Sequence, residues 1–334
     1  MKKRPDVTRR GQLHEFLSWL MGKDSQGEAT NTLTGRSMRR NTAWCWDVEP
    51  TLTPSPQIHH EVLVDGIWVG TWCLLIAVTK ELKVLAWQWC ARESTAAWSA
   101  LLEQVAAPAV IVSDGGSGIA AAVRVCWPET KTQRCMFHIQ MNVRQHLTLR
   151  PRTDAGRTLL GLSRALSAVK DVDQAIQWEL TLNAWWQRYG HLTEEKTRDR
   201  TRAGYGWWYT HDRLRKAWDV LAKLTRNGTL FTFITYGNAR TTSPLEGGIN
   251  NGIRHVLRAH RGMSETHMKR AAEWFLFLHD NTIDDAYKLV PAEKKEPIKP
   301  PVEDDDSEDV PQLYGTELTA EEGLWSRSGW AGPS

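Results

Sequence analysis

The chain has 334 residues, of which 41% are hydrophobic and 24% charged, with a net charge of +3 at neutral pH. This composition is typical of a globular protein that can bury a sizeable core, as one large domain with attachments or as two. It excludes a membrane-spanning class, because the longest apolar run, Trp72 to Val78, is too short to cross a bilayer. Five scattered cysteines and the lack of an apolar signal core favour the reducing cytoplasm.

The charge is unevenly distributed along the chain. Residues 301–334 contain nine acidic residues and one basic residue, so residues 1–300 carry 41 basic and 30 acidic residues. A basic body suits a polyanionic partner such as nucleic acid, although simple solubility is the alternative explanation. We expect residues 291–334, rich in proline and acid, to form an acidic disordered tail.

Residues 1–49 predict a helical segment that resembles a helix-turn-helix. Thr8 to Met21 has apolar residues at helical spacing, and a polar loop leads to a second helix over Thr34 to Trp46. Three basic side chains share one side of that second helix: Arg36, Arg39 and Arg40. The segment therefore predicts DNA binding, with a solvated basic helix as the alternative. A proline-rich linker over Pro50 to Pro56 follows it.

The next hundred residues alternate between strand and helix patterns. Three strands joined by short turns, and expected to be antiparallel neighbours, are predicted over Glu61–Trp68, Thr71–Thr79 and Val84–Trp89. The elements predicted after them are a helix over Ser94–Val105, a strand over Ala109–Ser113, a helix over Ile119–Val125, a strand over Thr132–His138 and a helix over Ile139–Leu149. This order is that of a ribonuclease-H-like core, an α/β fold with a mixed five-stranded sheet flanked by helices.

The remaining chain predicts an insertion and then a return to the core. Arginines and tryptophans crowd a stretch of helical texture, which we interpret as an all-helical insertion over residues 152–235. Residues 236–290 complete the core with a helix that starts at Ser243, breaks near Gly262 and is followed by a helix from Ser264. The first part of the core accordingly spans residues 57–151.

Three carboxylates stand at the edges of these elements: Asp65, Asp114 and Glu246. Adjacent first and fourth strands would bring the two aspartates together, and the late helix would add the glutamate. Three converging carboxylates repel one another unless cations occupy the centre, and Mg²⁺ or Mn²⁺ suits an all-oxygen site. Two such ions would serve an in-line phosphoryl displacement.

Each acid also has a purely structural interpretation. Asp65-Gly66 and Asp114-Gly115 have the composition of tight turns. Ser243, as a helix N-cap, and Glu246 three residues later form a capping-box pattern.

Four motifs in order resemble the mutator-type bacterial insertion-sequence transposases, which use a DDE triad on a ribonuclease-H-like fold. The motifs are Val64-Asp65-Gly66, Val112-Ser113-Asp114-Gly115, Gln133-Arg134-Cys135-Met136-Phe137-His138 and the stretch from Thr241 to Asn250 that contains Ser243-Pro244-Leu245-Glu246. The resemblance implies metal-dependent cleavage at terminal inverted repeats, followed by transfer of the freed 3′-hydroxyls to target DNA. It also implies a homodimer on DNA and a nucleoid-associated protein.

The resemblance assigns roles to residues. Asp65, Asp114 and Glu246 would bind two metal ions, and His138 would contact DNA or support the site near Asp114. Asn250 lies one turn after Glu246, and the residues that continue this face suit phosphate contacts. Those residues are Arg254 and Arg258.

Two cysteine positions qualify this assignment. Cys135 and His138 form only half of a zinc site, and no second pair at suitable spacing follows, so we expect Cys135 to pack in the core. Relatives often carry a cysteine-rich N-terminal segment, whereas only Cys45 precedes the core here. The rival functions are a non-catalytic DNA-binding protein derived from a transposase and a two-carboxylate hydrolase acting on sugars.

Overall fold

A five-stranded mixed sheet organises the part of the chain that the computed structural model describes, residues 5–31, 34–198 and 206–291. Its strands are β1 (Glu61–Val69), β2 (Trp72–Val78), β3 (Val84–Cys90), β4 (Val110–Ser113) and β5 (Lys131–Arg134). Their order is β3-β2-β1-β4-β5, with β1–β2 and β2–β3 antiparallel and β1–β4 and β4–β5 parallel. The antiparallel neighbours and the contact between the first and fourth strands are as expected.

Helices cover both faces of the sheet. Those described are α1 (Pro5–Met21), α2 (Gln26–Ala29), α3 (Arg36–Thr42), α4 (Thr95–Leu102), α5 (Ser117–Cys126), α6 (Met136–Leu147), α7 (Asp154–Ala165), α8 (Val172–Glu194), α9 (Asp212–Arg226), α10 (Thr232–Tyr236), α11 (Ser243–Leu245), α12 (Asn251–Ala259), α13 (Glu265–Asp280) and α14 (Ile283–Lys288). A π-helical turn, Glu246–Asn250, joins α11 to α12, and short 3-10 turns span Ala43–Asp47 and Leu166–Ala168. Each of the described helices is either too short or too polar to serve as a membrane span.

The alternation of side chains along β1 separates two cores. Val62 and Val64 pack with α4 and α5 on one face, where Trp98 and Ile119 lie in the same cluster. Leu63 and Ile67 on the opposite face pack with Leu245, Ile249, Ile253 and Leu276 from α11 to α13. Because successive strand residues face opposite sides, Asp65 belongs to the second face, the one covered by the late helices.

The predicted fifth strand ends earlier than expected. Thr132–His138 was expected to be a strand, but β5 ends at Arg134 and α6 already begins at Met136. The chain turns at Cys135, whose N–H donates to the Ser113 carbonyl, and Met136 N–H donates to the Arg240 carbonyl. The apolar residues that follow repeat every three or four positions, which is helical spacing: Met136, Ile139, Val143 and Leu147.

The stretch 152–235 is not all-helical, so that prediction is wrong. Besides α7 to α10 it contains an antiparallel pair, β6 (Lys196–Arg198) and β7 (Trp207–Tyr209). Three consecutive aromatic residues in β7 favour an extended backbone over a helix. The helices of this stretch share a core with α6, which includes Trp178, Trp185 and Leu221.

The N-terminal helices pack onto the end of the chain. Leu13, Phe16 and Leu17 of α1 are fully buried in one cluster with Trp274 and Phe277 of α13. The described residues fall within one compact unit, Met1–Pro291. The predicted loop contains the short helix α2. The second predicted helix corresponds to α3, which is shorter than expected because the chain changes to a 3-10 turn at Ala43. The helix-turn-helix interpretation of residues 1–49 stays a prediction, and the predicted tail, from residue 292 onwards, lies outside the described residues.

Candidate active site

The parallel pairing of β1 with β4 brings together the segments that carry the two aspartates. Leu63 pairs with Val112, and both are buried on the face of the sheet that the late helices cover. Asp65 lies two residues beyond Leu63 within β1, so its side chain returns to this face, and Asp114 lies two residues beyond Val112. Asp114 follows the last residue of its strand, and its Oδ1 accepts a hydrogen bond of 2.9 Å from Gly116 N–H.

Glu246 is brought to this face by the helix that contains it. Leu245, Ile249 and Ile253 are fully buried against the sheet, so they fix the rotation of that helix. Glu246 opens the π-helical turn, and its Oε1 accepts a hydrogen bond of 3.0 Å from the Thr242 hydroxyl. The capping-box interpretation is wrong: Thr242 is the N-cap, Ser243 is already helical, and no side chain caps the helix.

The pKa of Asp65 is affected by both of the other acids. Its pKa is raised to about 7, mainly by burial and then by the negative charges of Glu246 and, to a smaller extent, Asp114. Its Oδ2 accepts a hydrogen bond of 2.8 Å from Asn250 Nδ2. Asn250 is itself 1% exposed, so its side chain supports Asp65 rather than facing solvent.

The tightest group of possible metal ligands among the described residues is a different one. Cys135, His138 and Glu246 each offer a ligand atom, and these atoms all lie within 4.8 Å of one another. No such group among the described residues contains all three of Asp65, Asp114 and Glu246. The charges of Glu246 and Asp114 thus reach Asp65, while Glu246 lies close to the cysteine and the histidine.

His138 lies against Glu246, and the expectation that it contacts DNA or supports the site near Asp114 stays a prediction. Its Nε2 is 3.8 Å from Glu246 Oε1, and hydrogen bonding with Cys135 is the main cause that raises the pKa of His138 to about 9. Cys135 is fully buried, as predicted, and its Sγ lies 3.3 Å from the Thr242 N–H that donates to it. Burial opposes ionisation of this thiol, but hydrogen bonds from His138 and Thr242 outweigh it and lower the pKa of Cys135.

Three side chains at the site were not expected. Thr242 contacts both Cys135 and Glu246. Arg134 Nη1 donates to the Gly115 carbonyl, which places a guanidinium beside Asp114. Glu93, which follows β3, has a pKa raised by desolvation and then by the charge of Asp114. The arginine and the threonine stand within the motifs themselves, whereas no pattern in the sequence marks the glutamate.

Buried polar atoms without a hydrogen-bond partner gather around the acids. Asn250 Oδ1, His138 Nδ1 and Arg134 Nε are three of the buried side-chain atoms of the described residues that lack one. Such atoms are uncommon in native proteins and usually indicate a water, an ion or a ligand. The oxygen donors of the three acids and Asn250 are the ligand type that Mg²⁺ or Mn²⁺ prefers, so the residues fit such an ion.

The basic residues expected to contact DNA lie outside this cluster. Arg254 and Arg258 are exposed on α12, the helix that continues from Asn250. Arg36, Arg39 and Arg40 are exposed on α3, which packs against α1 and α2. Within the described residues, no hydrogen bond or ion pair joins any of these five to the three acids.

Two comparisons with known proteins bear on this site. Residues 71–206 match the family described as transposase, Mutator family, a range that includes Asp114 and His138. A transposase for insertion sequence element IS6120 from Mycolicibacterium smegmatis is 36% identical over 89 residues, which are 25% of this chain and 26% of that protein. The chain therefore matches about a quarter of that relative's length. The family match and the four motifs agree in their similarity to Mutator-family transposases.

Proposed function

We propose that the chain is a DDE transposase with a ribonuclease-H-like catalytic core, which cleaves DNA at terminal inverted repeats and transfers the freed 3′ ends to target DNA. The observation that supports this proposal is the parallel pairing of Leu63 with Val112, two residues before Asp65 and Asp114, together with the effect of the charges of Glu246 and Asp114 on Asp65. Acids that are separated by so many residues, yet share one face, are difficult to explain by stability alone because their charges repel.

Asp65, Asp114 and Glu246 would hold two Mg²⁺ or Mn²⁺ ions, which would supply charge stabilisation for the attacking and the leaving oxygen. Asp65 is oriented for this role by Asn250, and Glu246 by Thr242. Arg134 keeps a positive charge beside Asp114 and limits the repulsion between the acids. The exposed Arg254 and Arg258 extend this surface with charges that suit DNA phosphates.

Recognition of the DNA ends is assigned to the N-terminal segment. The exposed Arg36, Arg39 and Arg40 give α3 a basic side that suits the duplex. A dimer would allow the two ends of one element to be held together, since each end needs its own set of three acids. Both assignments belong to the proposal.

The test uses the full chain, Mg²⁺ and a labelled duplex that ends in the inverted repeat of the element that encodes it. We expect Asp65→Asn, Asp114→Asn and Glu246→Gln each to reduce strand cleavage at least about 100-fold while DNA binding is retained, because only the reacting centre is altered. The exposed Glu129 provides a matched control, and Glu129→Gln should cleave like the wild type.

Two outcomes would contradict the proposal. Cleavage at the wild-type rate by any of the three variants would remove that residue from the centre. Binding of the inverted repeat without nicking, under Mg²⁺ and Mn²⁺ alike, would instead favour the non-catalytic DNA-binding protein. Gel-shift and nicking measurements on the same samples separate these results.

A further inference from the structure

We propose that Cys135, His138 and Glu246 form a second metal site, which takes a borderline transition ion such as Zn²⁺ instead of Mg²⁺. Its effect on cleavage rests on the proposed function, whereas its ability to bind metal does not. The sequence offered only the cysteine and the histidine; the third ligand is supplied by the fold.

The geometry is close to that of a zinc centre. The three ligand atoms lie within 4.8 Å of one another, and His138 Nε2 is 3.8 Å from Glu246 Oε1. Tetrahedral zinc has ligand bonds of about 2.0–2.3 Å, which places ligand atoms roughly 3.3–3.8 Å apart. Small rotations of the side chains would therefore close the site.

Local structure holds two of the ligands in place. Cys135 occupies the turn that ends β5, and His138 lies in the first turn of α6, so both project from one short segment. The thiol is fully buried and accepts the Thr242 N–H, a contact that could persist as outer support for a bound ion. His138 Nδ1 is buried without a hydrogen-bond partner among the described residues, which leaves this imidazole incompletely satisfied.

The ligand chemistry selects the ion. A set of one sulfur, one nitrogen and one oxygen suits Zn²⁺ or Co²⁺, whereas Mg²⁺ prefers oxygen ligands alone. The side chains of His138 and Glu246 are each 27% exposed, which leaves an open side for a water as the fourth ligand.

Glu246 is a ligand in both of the proposed metal sites. Glu246 cannot serve both the oxygen site with Asp65 and Asp114 and the site with Cys135, so an ion at the second site would withdraw it from the first. Zn²⁺ would then inhibit cleavage that Mg²⁺ supports, and the inhibition would depend on Cys135.

The first experiment measures Co²⁺ binding to metal-free full-length protein without DNA. We expect a near-ultraviolet thiolate-to-cobalt charge-transfer band that Zn²⁺ displaces and excess Mg²⁺ does not. Cys135→Ser should abolish the band, and His138→Gln should weaken Co²⁺ binding at least about tenfold. Cys126→Ser, which changes a thiol on α5 outside the group, is the matched control and should keep the band.

The second experiment measures Zn²⁺ inhibition of cleavage, with each variant normalised to its own rate in Mg²⁺ alone. Wild type and Cys126→Ser should be inhibited at the Zn²⁺ concentrations that displace Co²⁺, and His138→Gln should need at least about ten times more. Absence of the band, or a band that survives Cys135→Ser, would overturn the proposal; if that variant fails to fold, His138→Gln decides. A band without Mg²⁺-dependent cleavage would reject the proposed function and leave the metal site standing.

Discussion

Asp65 is a carboxyl group whose charge is disfavoured by its surroundings. Burial raises its pKa to about 7, so between about pH 4 and pH 7 the folded protein holds a proton that the unfolded chain has lost. The free energy of unfolding therefore falls as the pH rises through this range, and the full cost is present above it. A bound cation would offset this cost by favouring the ionised form.

The first prediction concerns this cost. Asp65→Asn should stabilise the metal-free protein at about pH 8 and change little at about pH 4, where the wild-type carboxyl is also neutral. Denaturant unfolding at both pH values, in the presence of a chelator, measures the difference. Equal effects of the substitution at the two pH values would show that ionisation of Asp65 does not lower the free energy of unfolding.

The second prediction concerns the partner of Asp65. Asn250→Ala removes the 2.8 Å hydrogen bond to Oδ2, so the carboxylate loses its orientation. We expect cleavage to fall about 10- to 100-fold while DNA affinity stays near that of the wild type, the usual effect of losing an outer contact to a metal ligand. Asn251→Ala changes the exposed neighbour and serves as the control. Unchanged cleavage in Asn250→Ala would mean that the hydrogen bond has no role.

At the level of elements, the turn after β4 fixes Asp114. Gly115 has a φ of +68°, which L side chains rarely adopt, and a Cβ there would overlap the guanidinium of Arg134. Gly116 is different, because a Cβ there would meet only the Asp114 carboxylate oxygens, at 3.6 Å. The same turn therefore contains a demanding glycine and a tolerant one.

The third prediction follows from this contrast. Gly115→Ala should lower the free energy of unfolding by about 1–3 kcal/mol and reduce cleavage, since the strained backbone and the displaced Arg134 both disturb Asp114. Gly116→Ala should have a small effect on both quantities. Thermal unfolding and nicking measurements compare the two variants, and similar losses in both would argue against the special role of Gly115.

The elements differ in how far they could be predicted. β1, β2 and β3 were evident from runs of β-branched and aromatic residues between short turns, and the helix predicted from Ser94 begins at Thr95 with Ser94 as its N-cap. The end of β5 was not evident from the sequence, because the strand is only four residues long and Met136 and Phe137 also suit a strand. The β6–β7 pair was missed because strands of three residues are too short to show alternation.

The candidate site, too, could be predicted only in part from the sequence. Its acids could be chosen from motifs, but the contact of His138 with Glu246 depends on where α6 begins and on the π-helical turn. Those features arise from tertiary contacts, such as the hydrogen bond from Met136 N–H to the Arg240 carbonyl, which join segments far apart in the chain. Local patterns carry no information about such contacts.

At the level of the whole molecule, α1 belongs to the core formed by the last helices. Leu17 is fully buried in the cluster that contains Trp274 and Phe277. The fourth prediction is that Leu17→Ala lowers the free energy of unfolding by about 2–5 kcal/mol, through lost apolar contacts and the cavity that remains. Hydrogen exchange should show α13 losing protection together with α1.

Glu15→Ala is the matched control for this prediction, because Glu15 is exposed on the same helix. Its effect should stay within about 0.5 kcal/mol. If Leu17→Ala destabilised α1 and left α13 fully protected, the N-terminal helices would be a separate folding unit.

The pairing of Leu63 with Val112 also bears on how such chains can change in length. Asp65 and Asp114 each lie two residues beyond a paired neighbour, whatever number of residues lies between the strands. Insertions in the connecting segments should therefore be tolerated by the catalytic centre. Deleting the single residue between Leu63 and Asp65 would turn the carboxylate to the opposite side of the sheet unless the register of β1 shifted to compensate.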